Sequence, residues 1–152
     1  MKKHYTIIIA GAGGIAEAVA LLLAEWSMVT PTIFIGNRTL SKAKKIAKWI
    51  EDGTSKPCSI NTFHLSENEI TNEMKEIFHQ GAIILDCLPG HLAPKMAQFA
   101  KDFQMHYANL TEYVAETEQI KALAKNAETG FVLQTGLAPG YINVLANGLF
   151  QQ

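Results

Sequence analysis

The sequence predicts an α/β domain built on a doubly wound parallel sheet of about six strands, with helices on both faces. Three observations predict it. A β-branched run at residues 5–10 (YTIIIA) passes directly into Gly11-Ala12-Gly13-Gly14-Ile15-Ala16 and then into a helical pattern, which is strand, tight turn and helix with G-x-G-x-x-A spacing. Strand-like and helix-like segments then alternate to the end of the chain with short connections, which favours a parallel sheet with crossovers on both faces. The run at 82–88 (AIILDCL) is almost continuously apolar, as a strand buried on both faces must be.

Each element has its own local reason. In the first turn Gly11 permits the sharp departure from the strand, Gly13 leaves room for a ligand to meet the backbone, and Ala16 lets the helix lie close to the sheet. Ile15, Val19, Leu22, Leu23 and Trp26 recur at helical spacing through residue 26. Residues 31–36 (PTIFIG) read as the second strand, and 39–51 as a helix with Ala43, Ile46, Ala47 and Ile50 on one face and a basic opposite face. Residues 58–64 alternate as a third strand. A helix is predicted over 66–80, with Ser66 and Glu69 as a capping box, Ile70, Met74, Ile77 and Phe78 as its stripe, and Gly81 as its stop. After the fourth strand and Pro89-Gly90 come a helix at 94–103, a strand at 105–110 and a helix at 116–128. A sixth strand at 131–135 leads through Gly136-Leu137-Ala138-Pro139-Gly140 into an apolar helix at 141–150.

Composition narrows the function. A length of 152 residues suits one domain with a proper core. With 48% hydrophobic and 18% charged residues and a net charge of −1, neither nucleic acid nor an anionic membrane surface is an expected partner. Glu17 interrupts the apolar N-terminal stretch, so no span or targeting segment is read there and the cytoplasm is the expected location. Cys58 and Cys87 are isolated, with no metal-ligand spacing, so no metal is expected.

Ligands of open α/β sheets bind beyond the carboxyl ends of the strands. The G-x-G-x-x-A turn predicts a dinucleotide whose pyrophosphate meets the N-terminus of the first helix. At the end of the second strand, where an NAD-binding domain carries an Asp or Glu, this chain has Asn37, followed by Arg38 and Thr39. An amide, a guanidinium and a hydroxyl can each donate to a 2′-phosphate, and Lys42, Lys44 and Lys45 add positive charge, so NADP is expected, with NAD as the alternative cofactor. The loop 87–91 should pass the nicotinamide ribose. Asp86 is expected to cap backbone amides, Cys87 to be core, and Tyr107 and Tyr113 to be packing residues with a hydrogen-bonding tip, whereas His91 is read as a bystander. No residue is assigned to catalysis.

The stretches IIIAGAGGIAEAVALLL, ILDCLPGHLAPKMAQFA, HYANLTE and VLQTGLAPGYINVLA, in that order, resemble the saccharopine dehydrogenase-like NAD(P) oxidoreductases. The resemblance implies cofactor contacts from Gly11, Gly13, Gly14, Ile15 and Ala16, adenosine-side contacts from Asn37, Arg38 and Thr39, and nicotinamide-side contacts from Leu88, Pro89, Leu110, Leu137 and Pro139. It also implies hydride transfer to or from an imine made from an amino acid, a small-molecule substrate. Two departures stand out. Asn37 replaces the acid that family members often carry, and Asn-Arg-Thr looks instead like the NADP loop of shikimate dehydrogenases. Family enzymes also continue into a substrate-binding domain, so this chain is expected to be a fragment or a cofactor-binding product that does not turn over alone. Its last helix would then expose a face suited to self-association as a homo-oligomer. The other readings are a non-catalytic nucleotide-sensing module and a shikimate dehydrogenase-like or epimerase-like enzyme. The epimerase version lacks a Tyr-x-x-x-Lys pair: Tyr107, Tyr113 and Tyr141 are followed four residues on by Thr111, Thr117 and Leu145.

Overall fold

The computed structural model describes residues 5–136 and 140–151. Among them are six strands: β1 (Thr6–Ala10), β2 (Thr32–Asn37), β3 (Ser59–His64), β4 (Ile83–Asp86), β5 (His106–Asn109) and β6 (Phe131–Val132). They form one sheet in the order β3-β2-β1-β4-β5-β6, and every neighbouring pair is parallel. This is the doubly wound, Rossmann-type arrangement that the alternation of elements predicts. Strand order reverses between β1 and β4, where Ala10 stands beside Asp86 and Ile8 beside Ile84. A crevice therefore opens beyond those two strands.

Side chains of β1 alternate between two cores, because successive residues of a strand point to opposite faces. Ile9, with Ile33 and Ile35 of β2, packs under α1 (Gly14–Trp26) and α2 (Leu40–Gly53). Ile8, Ala10, Ile84 and Tyr107 pack under α3 (Asn72–Gln80), α4 (Ala93–Asp102) and α5 (Val114–Ala124). Phe78 is the aromatic hub of the second core, with ring centroids 6.2 Å from Phe63, 5.6 Å from Phe99 and 5.5 Å from Phe103.

The face that α1 turns to the sheet is its small-residue face, with Ala16 against the sheet as expected. Ala16, Ala20 and Ala24 are the buried residues, whereas Ile15, Leu22 and Trp26 are exposed. Close approach of helix to sheet requires small side chains, and the alanine stripe supplies it. The predicted helix over 66–80 starts later. Ser66 Oγ accepts from the backbone N–H groups of Asn68 and Glu69 in a turn outside the helix, and Thr71 is the N-cap, its Oγ1 accepting from Met74 N at 3.2 Å. A 3-10 turn, Gly90–Leu92, precedes α4, whose first turn holds Pro94. Leu137 and Pro139 lie outside the described residues. Beyond them α6 (Ile142–Phe150) is exposed along its length, with Val144 at 71% and Phe150 at 91%. No helix among the described residues is long and apolar enough to cross a membrane.

Gly36 offers a test of the packing beneath the site. A Cβ there would fall on the ring of Phe63, which is fully buried. Gly36→Ala is expected to destabilise the domain by about 1–3 kcal/mol, the usual cost of overpacking, and chemical denaturation measures it.

Candidate functional site

The glycine turn is fixed by its neighbours on both sides. Gly11 N donates to Gly36 O of β2 at 2.8 Å, and Cys87 N donates to Ala10 O at 2.8 Å, so the chain leaves β1 while tied to β2 and β4. Gly11 has a φ of +117°, and a Cβ there would lie 2.9 Å from Cys87 O. Only glycine fits such a position without strain. At Gly13 and Gly14 a Cβ would meet nothing within 4 Å, which is open space in front of α1. Gly13, the N-cap residue, provides no side-chain cap, so the first amides of α1 face that space without a side-chain partner. Bare backbone donors at a positive helix end, with room before them, fit a pyrophosphate.

On the β2 side lies a cavity of about 350 Å³, lined by Gly11, Gly13, Asn37, Arg38, Thr39, Lys42, Glu67, Leu88, Pro89 and His91, among others. Asn37 ends β2 and its Nδ2 donates to Thr39 O at 3.1 Å. The Arg38 guanidinium faces Glu67, with Nη1 3.7 Å from Oε2. Lys95 of α4 donates from Nζ to the backbone carbonyls of Glu67 and Asn68, holding the β3–α3 loop against this cavity.

A second cavity, about 380 Å³, lies beyond β4 and β5 and is lined by Ile15, Asp86, Leu88, Gly90, Asn109, Leu110, Thr111 and Tyr113, among others. Asp86 forms part of its floor and is 3% exposed. Its Oδ1 accepts from Leu88 N at 3.0 Å and its Oδ2 from the Tyr107 hydroxyl at 2.7 Å. Burial pushes the Asp86 carboxyl up to about 6, and the Tyr107 and Leu88 hydrogen bonds pull against that rise. Burial, reinforced by the Asp86 charge, raises the Tyr107 phenol and pushes the Cys87 thiol up to about 12, so Cys87 is an unreactive thiol at neutral pH. Asn109 Oδ1 accepts from Gln134 N at 3.2 Å, tying the end of β5 to the segment after β6. Thr111 Oγ1 is buried at the cavity without a hydrogen-bond partner among the described residues. A polar atom left so has room to meet a ligand.

Several sequence-singled residues therefore converge on one crevice. Gly11, Gly13, Gly14 and Ala16 form the turn, Asn37, Arg38 and Thr39 one flank, and Ile15, Leu88 and Leu110 the other. Leu88 reaches both cavities, whereas Pro89 and His91 line the cavity on the Arg38 side. Asp86 caps a backbone amide as expected, and the buried Tyr107 keeps its hydroxyl bonded. Tyr113, expected to pack, is 62% exposed at the mouth of the second cavity. Glu67, Lys95 and Thr111 were not legible as site residues. Glu67 was hidden by a helix prediction that began too early.

A parallel sheet with a glycine turn at the strand-order reversal and a cavity on each side is a dinucleotide-binding domain. Residues 7–133 match the family model described as the saccharopine dehydrogenase NADP binding domain. The chain belongs to that family, and NADP is the family's cofactor. A search of curated proteins by sequence finds no match. Among solved structures, saccharopine dehydrogenase (L-Glu forming) from Saccharomyces cerevisiae is similar at a TM-score of 0.75 and 15% identity, over 97% of this chain and 31% of that one. Shikimate dehydrogenase from Mycobacterium tuberculosis gives 0.67 and 15% identity, over 88% of this chain and 47% of the other. Shikimate 5-dehydrogenase from Listeria monocytogenes, solved with shikimate and NAD, gives 0.60 and 16%, over 86% and 46%. The chain thus spans a third to a half of the length of these structures, and the likeness is one of fold.

Proposed function

We propose that this chain holds NADP for a cytoplasmic oxidoreductase that moves a hydride between the nicotinamide and an amino acid or its imine, with the substrate contacts made by a further domain. The arrangement of the crevice carries this reading: bare amides of α1 lie between a cavity lined by Arg38 and Lys42 and a second one lined by Asp86. Gly11, Gly13, Gly14, Ile15 and Ala16 would hold the pyrophosphate side. Asn37, Arg38 and Thr39 would hold the adenosine with its 2′-phosphate. Leu88 and Leu110 would flank the nicotinamide side, with Pro89 on the Arg38 side of the same loop. The bound cofactor would donate or accept the hydride; the chain's own part is to position it and to exclude water from one face. Titration with NADPH and with NADH, followed by nicotinamide fluorescence, tests the reading. Arg38→Ala is expected to weaken NADPH about ten- to a hundredfold, the loss of a charge-assisted contact, while changing NADH little. Failure of the domain to bind either dinucleotide would overturn the reading.

The exposed apolar residues of α6 support self-association. Val144, Leu149 and Phe150 are 64–91% exposed on one short helix. Concentrated protein is expected to sediment as an oligomer, and Leu149→Glu with Phe150→Glu to shift it to monomer.

A further inference from the structure

The cavity read as the 2′-phosphate site contains a carboxylate that works against that ligand. Arg38 and Lys42 line it with the donors Asn37 and Thr39, and opposite them stands Glu67. Its position is built in. Lys95 Nζ donates to the Glu67 carbonyl and, at 2.8 Å, to that of Asn68, and Ser66 Oγ accepts from Asn68 N and Glu69 N, so the turn is anchored at both ends. The Glu67 side chain is 31% exposed and that of Arg38 72% exposed, with the two charges 3.7 Å apart. The guanidinium is thus engaged by a carboxylate where a phosphate would need it.

We propose that Glu67 is a specificity-determining residue: it competes with the 2′-phosphate for Arg38, and so sets how strongly the domain prefers 2′-phosphorylated over unphosphorylated adenosine. The proposal rests on the reading that Arg38 meets that phosphate. An anion entering the cavity must displace Glu67 from Arg38 and then remain near a like charge, both of which oppose binding. A ligand without the phosphate leaves the Arg38–Glu67 pair intact and meets neither penalty. The carboxylate therefore lowers affinity for one ligand class while sparing the other, which is how specificity is tuned by a repulsive element.

Adenosine 2′,5′-bisphosphate and 5′-AMP are the probes, since they report this cavity without the nicotinamide side. Calorimetric titration of the wild type, Glu67→Gln, Arg38→Ala and the double variant gives the cycle. Glu67→Gln should tighten the bisphosphate about two- to fivefold, a surface-pair effect, and leave 5′-AMP within about 1.5-fold. In the Arg38→Ala background the same change should gain markedly less, because the competition is for Arg38. The single-variant gain should also shrink as salt is raised. If Arg38→Ala weakens the bisphosphate but Glu67→Gln leaves it unchanged or weaker, the proposal falls and the site reading stands. If Arg38→Ala has no effect on the bisphosphate, the site reading falls and this proposal with it.

Discussion

Gly11→Ala is expected to destabilise the domain by about 2–5 kcal/mol and to abolish dinucleotide binding. Two penalties act at once. The residue holds a φ of +117°, which an L side chain adopts only with strain, and its Cβ would lie 2.9 Å from Cys87 O. That carbonyl is backbone, and Cys87 N is bonded to Ala10 O at 2.8 Å, so relief requires β1 and β4 to separate at the point where the crevice opens. Gly13→Ala is the matched control. Its Cβ meets nothing within 4 Å and its φ of −103° suits alanine, so the loss should be no more than about 1 kcal/mol, the cost of alanine at an N-cap. The new methyl nonetheless occupies the space before α1, and NADPH binding should fall at least about tenfold by the loss of close backbone contact. Urea denaturation and NADPH titration of both variants separate the two roles. A Gly11→Ala protein as stable as wild type would show that the turn has room that its geometry denies.

The parts legible in the sequence are those whose causes are local. The strand, glycine turn and helix at 5–26 are specified within one stretch, and the alternation of Ile8 and Ile9 between two cores follows from strand pleating. Where two local signals compete, pattern alone does not choose. Ser66 with Glu69 and Thr71 with Met74 both offer an N-cap hydroxyl three residues before a candidate partner, and the Ser66 pairing carries the acidic residue that makes a capping box look stronger. The helix starts at the second because Met74 and Phe78 must reach the core, which leaves Ser66 to close a turn. On α1 the large apolar residues recur at helical spacing, which identifies the helix but not its buried face; close contact with the sheet selects Ala16, Ala20 and Ala24. The rest depends on tertiary register. Arg38 meets Glu67 only because β2 and β3 pair in parallel with Asn37 beside His64. Asp86 is buried only because β5 places Tyr107 against it.

Asp86 should make the stability of this domain depend on pH in a direction opposite to ordinary acid denaturation. Its carboxyl titrates at about 6 in the folded chain against 3.8 for the unperturbed group, with burial as the main cause. The folded state therefore holds this proton more tightly than the unfolded state. The stabilising contribution is fully present below about pH 4 and is lost as pH rises through 6, amounting to about 3 kcal/mol for a shift of two units. Asp86→Asn removes the charge and keeps the contacts: its carbonyl can accept from Leu88 N, its amide can donate to the Tyr107 oxygen, and the Tyr107 hydroxyl can turn to Ala93 O, 3.2 Å away. The variant should gain stability over wild type between pH 4 and 8, by about 2–3 kcal/mol at the upper end. Taking the difference between the two proteins removes groups they share. Glu25, held down at about 2 by hydrogen bonds from Ser55 and Thr54, adds stability that is lost as pH falls below about 4.5 and through 2, the opposite trend. Tyr107→Phe should steepen the effect, because it deletes the donor to Oδ2 and leaves burial less opposed. A wild-type minus Asp86→Asn difference that stays flat across this range would mean that the carboxylate is solvated or paired in a way its 3% exposure does not allow.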